Sequence, residues 1–279
     1  MFRTILVPTD GSAGARRAFA HAVALAERYR ADVHTLAVGD DGSVDTAARL
    51  ASTVDAADSS VEITQAERTG VVHETISEYA RAVGADLLVL GTHGRTGVSR
   101  YILGSVTEKV VRLSDLPVLT VRAGEDARVR FPYENVLVPT DGSEQAAAAI
   151  DSATDIASTC GAQLHAVSVV DTRAMGTVTR PDVLLDQLKS QARSAVDTVA
   201  HEVSHDGVES VRTAVQEGLP YRALLSYVDE FDIDLIVMGT HGRRGVDRYL
   251  LGSVTEKLVR TAPVPVLSVR APGDTEEGP

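Results

Sequence analysis

At 279 residues, with 44% hydrophobic and 24% charged side chains, the chain holds enough apolar material for two domains of ordinary size. A net charge of −12, with lysine only at Lys109, Lys189 and Lys257, leaves no basic footprint, so no nucleic-acid partner is expected. No apolar run approaches the ~18 residues of a bilayer span. The single cysteine, Cys160, excludes an intrachain disulfide, and MFRTILVPTD is too short and too soon acidic for a signal peptide, so no membrane and a cytoplasmic location are expected.

Along the chain, Thr4–Pro8 is a short continuous apolar run, the pattern of a strand buried on both faces. The turn TDGS follows, then Ala13–Tyr29, whose apolar positions Ala18, Ala22, Leu25 and Tyr29 recur at helical spacing. Asp32–Val38 and Val61–Gln65 read as strands two and three, with Gly39–Ser60 between them polar enough to hold only a short helix. Val71–Val83 reads as a helix, Asp86–Leu90 as the fourth strand, Ser105–Leu113 as a helix and Pro117–Val121 as the fifth strand. The second half repeats the strands at Asn135–Val138, Leu164–Val170, Ser210–Val215, Leu235–Met238 and Pro265–Val269, with a helix over Leu184–Val203. Cys160 falls in a helix, where a small buried hydrophobe is expected. Strands alternating with helices predict parallel sheets built by right-handed crossovers and covered on both faces.

The repetition is literal. FRTILVPTDGS at residues 2–12 returns as YENVLVPTDGS at 133–143, and GTHGRTGVSRYILGSVTEK at 91–109 returns as GTHGRRGVDRYLLGSVTEK at 239–257. The first pair lies 131 residues apart and the second 148, so the second copy holds 17 more residues, around Asp171–Leu188. The polar segment GEDARVRFP marks the linker, giving domains at 1–124 and 132–271. Any site is expected twice.

The chemistry concentrates in two motifs. Gly91 and Gly94, nine residues, then Gly104 and Ser105 recur as Gly239 and Gly242, nine residues, then Gly252 and Ser253. The first glycine ends an apolar strand, and ligands collect beyond the carboxyl ends of a parallel sheet. Gly-Ser opens a helix, where unpaired N–H groups and the dipole favour an anion. The serines are expected to cap that helix and to donate to a phosphate oxygen, and the glycines to let backbone approach the ligand. Together they read as a divided phosphate cradle, against the alternative of ordinary turn chemistry.

The other motif is Thr9-Asp10-Gly11-Ser12, repeated at Thr140-Asp141-Gly142-Ser143. A dinucleotide fold would carry GxGxxG here, and none occurs; nor does a P-loop. Asp10 and Asp141 would repel phosphate but suit ribose hydroxyls or an adenine amino group; the alternative is a helix cap. His93 and His241 lie inside the cradle as donors to phosphate or ligands to a metal, or as solvated turn residues. Arg95, Arg100, Arg243, Arg244 and Arg248 either pair with phosphates or face water. No paired carboxylates, nucleophile–base set or metal-ligand cluster is visible.

These motifs resemble the universal stress protein family, whose ATP-binding members carry G-x2-G-x9-G-[ST]. The resemblance covers about residues 2–122 and 133–270 and implies two tandem Rossmann-like α/β domains of adenine-nucleotide alpha-hydrolase type, each with a five-stranded parallel sheet flanked by helices. It implies ATP, ADP or AMP on the glycine motif; a bound triphosphate usually brings a cation such as Mg2+ or Mn2+. Pro8, Thr9 and Asp10, with Pro139, Thr140 and Asp141, match the family's first strand. Val38 and Val169 would meet adenine, and Val106 and Val254 would each lend a backbone N–H. The shortened Gly39–Ser60 departs from the pattern and would leave the first adenine pocket more open than the second.

Family members pair through their last strand, so the resemblance implies pairing of the two halves through Val118–Arg122 and Val266–Arg270, and a further homodimer. The leading expectation is a regulatory, stress-responsive ATP-binding protein with an unknown protein partner and without efficient catalysis. A slow ATPase or nucleotidyl-transferring enzyme and a nucleotide-free interaction module are the alternatives.

Overall fold

The computed structural model describes residues 1–39, 60–92, 103–124, 126–173, 181–204, 207–208, 210–242 and 251–271. The chain divides into two compact units, Met1–Phe131 with Val259–Leu267, and Pro132–Leu258 with Ser268–Pro279.

The first half opens with β1 (Thr4–Thr9), in which Ile5, Leu6 and Val7 are fully buried. Helix α1 (Ala13–Tyr29) follows because Ser12 ends the turn as an N-cap, accepting the Ala15 N–H at 3.2 Å. Then come β2 (Asp32–Gly39), β3 (Ile63–Thr69), α2 (Val72–Val83), β4 (Leu87–Gly91), α3 (Ser105–Leu113) and β5 (Val118–Val121). The sheet order is β3-β2-β1-β4-β5, and every pairing is parallel.

The second half follows the same plan: β6 (Asn135–Pro139), α4 (Glu144–Ala147), α5 (Ile150–Cys160), β7 (Gln163–Val170), α6 (Pro181–Ser204), β8 (Val211–Glu217), α7 (Pro220–Glu230), β9 (Leu235–Gly239), α8 (Ser253–Thr261) and β10 (Val266–Val269). The order β8-β7-β6-β9 is parallel throughout, and the Thr240 N–H donates to the Val269 carbonyl at 2.9 Å. A central strand thus meets the strand that follows it on one side and a later strand on the other. That reversal is the topological switch point of an open α/β sheet, where a ligand crevice opens.

Three details depart from the sequence reading. The third strand runs to Thr69 instead of Gln65. It is an edge strand with Thr64, Gln65, Glu67 and Arg68 in water, so polarity there does not signal a loop. Helix α6 spans Pro181–Ser204, longer at both ends than its apolar periodicity. Cys160 is only half-buried, because it is the last residue of α5 before Gly161 turns the chain in the left-handed region at φ 69°. The expected short helix in Gly39–Ser60 falls on residues 40–59, outside the described residues.

Each half also ties its central strands together at their amino ends. The Asp86 carboxylate accepts the N–H groups of Arg3 and Thr4 at 2.8 and 3.1 Å, and Asp234 accepts those of Glu134 and Asn135 at 2.9 and 3.1 Å. The switch point is therefore closed at the bottom and open at the top.

Candidate functional site

The opening at the top has a visible cause. Strand β1 stays in register with β2 as far as Thr9 opposite Ala37, but with β4 only to Leu6 opposite Leu88. Pro8, two residues on, has no N–H with which to prolong a ladder. In the second half β6 likewise pairs with β9 only to Leu137 opposite Ile236, and Pro139 lies beyond. The proline of each VPTD therefore stands where the central strands part.

The turn that follows is held by its own side chains. Thr9 Oγ1 accepts the Gly11 N–H at 3.1 Å and Asp10 Oδ1 accepts the Ser12 N–H at 2.9 Å. Thr140 and Asp141 repeat both bonds at 3.1 and 3.0 Å, and the Ser143 hydroxyl adds a bond to Asp141 Oδ1 at 2.6 Å. Gly11 and Gly142 take φ 76° and 77°, which suits glycine. The aspartates do not cap the helix: Ser12 and Ser143 do, and each aspartate instead shapes the turn ahead of the cap. Val38 and Val169, half-buried, are the last residues but one of β2 and β7, at the same end of the sheet in each half.

Across the crevice, the chain returns to the end of the neighbouring strand by two bonds. The Gly104 N–H donates to the Thr92 carbonyl at 2.8 Å, and the Thr107 hydroxyl donates to the Gly91 carbonyl at 2.8 Å. The second half repeats them, Gly252 to Thr240 at 2.8 Å and Thr255 to Gly239 at 3.0 Å. The Glu108 N–H is the first to bond within α3, to the Gly104 carbonyl. The N–H groups of Ser105, Val106 and Thr107 therefore precede the helical ladder, as those of Ser253, Val254 and Thr255 do in α8. Three adjacent amides and a helix dipole make an anion-binding end.

Two expectations are corrected here. Gly104, not Ser105, is the N-cap of α3, with no side-chain cap; exposed Ser105 is the first helical residue. The cap position is crowded: a Cβ on the equivalent Gly252 would lie 3.0 Å from the Thr240 carbonyl oxygen. Nor are the strand-end glycines there to admit a ligand. A Cβ on Gly91 would stand 2.6 Å from the Gly14 carbonyl carbon at the start of α1, and one on Gly239 would strike the Gln145 carbonyl. These glycines let the first helix pack onto the strand end. Gly242 is different, for its Cβ would reach Asp141 Oδ2 at 2.7 Å, so the glycine motif and the aspartate turn touch there.

His241 is half-buried, with Nδ1 3.0 Å from Thr240 Oγ1, and its buried Nε2 has no hydrogen-bond partner among the described residues. His93, Gly94, Arg95 and Arg100, with Arg243, Arg244 and Arg248, lie outside the described residues. Among the described residues no group of three or more His, Cys, Asp and Glu converges as a metal site, and no helix is long and apolar enough to cross a membrane.

The two crevices are not identical. In the first half the Arg16 guanidinium donates to the Gly11 carbonyl at 2.7 Å. Its counterpart is Ala147, one of the residues lining a cleft of about 530 Å3 between the 140–150 segment and α6, with Thr140, Gly142, Ser143, Ser194 and Thr198 among others. Sequence reasoning missed Thr107, Thr255, Gly14 and Arg16. The one signal available for the threonines was their identical place in both GSVTEK segments.

Fold and crevice define the class first: an open, doubly wound α/β protein that carries the same switch-point site twice. The universal stress protein family model matches residues 1–122 and again 132–270, and the chain belongs to that family. A universal stress protein of Methanocaldococcus jannaschii is 32% identical over 155 residues, covering 54% of this chain and 88% of that protein. A Staphylococcus aureus relative is 34% identical over 149 residues, covering 53% and 87%. The crystal structure of a universal stress protein from Archaeoglobus fulgidus matches 96% of this chain and 98% of its own, with a TM-score of 0.70 at 20% identity, a likeness of fold.

Proposed function

We propose that this protein binds an adenine nucleotide at the top of each half and acts as a stress-responsive regulatory protein, without efficient catalysis. The observation that carries the reading is the meeting, at each switch point, of a carboxylate turn on one wall and a run of unladdered helix amides on the other. Anions suit the amides. Ribose hydroxyls or an adenine amino group suit Asp10 and Asp141. The phosphates would lie on Gly94, Ser105 and Val106, and on Gly242, Ser253 and Val254. His93, Arg95, His241 and Arg243 would stand beside them, and Val38 and Val169 beside the base.

The same geometry supports binding over turnover. Asp10 and Asp141 each spend an oxygen on their own turn, which ill suits a general base. The donor set fits a nucleotide. Among the described residues it supplies no metal cage, so Mg2+ or Mn2+ would be held chiefly by the phosphates. We propose further that domains 1–124 and 132–271 pair through Val118–Arg122 and Val266–Arg270, that the chain forms a homodimer, and that it works in the cytoplasm on a protein partner.

The test is mass spectrometry of nucleotide released by denaturing the purified protein, with stoichiometry per chain. Two ATP or ADP per chain is the expected result. None, with no thermal shift on adding ATP and Mg2+, would sink the reading, since a ligand at 100 times its Kd stabilises by about 2.7 kcal/mol.

A further inference from the structure

Resting on that reading, we infer that Thr107 and Thr255 are positioning residues, which fix the distance between the aspartate turn and the phosphate-binding helix end in each half. The strand-end glycines link the two walls. Gly91 is packed against the Gly14 backbone on the side that would carry a Cβ, while its carbonyl receives the Thr107 hydroxyl at 2.8 Å. The start of α1 and the start of α3 therefore meet on one residue. Gly239 does the same in the second half, between the Gln145 carbonyl and the Thr255 hydroxyl at 3.0 Å.

The backbone bond from Gly104 to Thr92, or Gly252 to Thr240, ties the helix start to the strand end at one point. A second bond, from the threonine hydroxyl three residues along, ties it at another. Thr107 and Thr255 are 6% and 3% exposed, so their hydroxyls have no water to fall back on. Both hydroxyls are engaged on the strand-end carbonyls. Their effect should therefore fall on the phosphate end of a ligand, where the helix amides would lie.

The test uses the full chain carrying T107V and T255V together, beside T107S and T255S together. Calorimetric titration with ATP and with adenosine is done well below each variant's melting temperature. The expected result is ATP affinity at least tenfold weaker in the valine variant, restored within twofold by serine, with adenosine affinity unchanged within twofold in both. ATP binding within twofold of the wild type in the valine variant would overturn the inference. Equal loss of ATP and adenosine would also overturn it, since that is how a general structural role behaves. If the wild type binds neither ligand, the nucleotide reading itself fails and takes the inference with it. Should the double valine variant not fold, T255V alone serves: one site is expected at wild-type ATP affinity and one at least tenfold weaker, and two sites within twofold of wild type would overturn it.

Discussion

Gly239 packs so closely on Gln145 that a Cβ there would collide with the Gln145 carbonyl oxygen, and its counterpart Gly91 meets Gly14 in the same way. Backbone cannot yield as a side-chain tip can, so the collision forces the first helix of that half away from the sheet. Gly239→Ala should destabilise the protein by about 2 kcal/mol in urea unfolding. Gly124, whose Cβ would meet nothing within 4 Å, is the control: Gly124→Ala should change stability by less than about 0.5 kcal/mol.

Asp234 is 4% exposed and accepts two backbone N–H groups where β6 begins. Alanine there leaves both part-buried donors without their charged acceptor. Asp234→Ala should cost about 3 kcal/mol, measured as a lower denaturation midpoint with an unchanged m-value.

Stability should fall on mild acidification. His165 is 1% exposed, with Nδ1 3.0 Å from the Tyr227 hydroxyl, and burial, followed by the nearby Arg212 charge, lowers its pKa to about 4. His21, 5% exposed and edge-on to Phe131, is lowered to about 4 by burial alone. An unfolded histidine titrates near 6.5, so the stability these neutral rings contribute is complete above that pH and is lost as pH falls toward 4. The slope approaches about 1.4 kcal/mol per pH unit for each ring. Unfolding free energies of His165→Asn measured from pH 7 to 4.5 should show a slope shallower than the wild type by about 1 kcal/mol per unit. Parallel curves would refute the assignment.

Gly242 and Asp141 give a prediction confined to the second site. The alanine Cβ at 242 would press on Asp141 Oδ2, moving the carboxylate without touching the core. Gly242→Ala should weaken nucleotide binding at one site of two, with the melting temperature of the nucleotide-free protein within a degree or two of the wild type. Two undiminished sites by titration would show that the carboxylate's position does not matter.

The order of strands and helices was legible because each buried strand, such as Thr4–Thr9 or Leu235–Gly239, is a run of Leu, Ile and Val closed by a turn motif. The edge strand Ile63–Thr69 was read short, because a strand in water need not look apolar. Literal repetition of VPTDGS and GTHG…GSVTEK marked the duplication, and the family model matches both halves. What each residue does was another matter. A glycine looks the same in sequence whether it makes room for a ligand or for Gln145, and a threonine gives no sign that its hydroxyl will cross to a strand end sixteen residues upstream.

Local chemistry, then, was set by the sequence alone: the Asp10 and Asp141 turns, the caps at Ser12 and Ser143, and the periodicities that make strand and helix, since each needs only neighbours along the chain. The tertiary structure alone decided that the β1 and β4 ladders part beside Pro8, that Gly91 joins two helix starts, and that a cleft lies between Ala147 and Ser194. Those are distances between segments far apart in the chain, and they are fixed by how the layers pack.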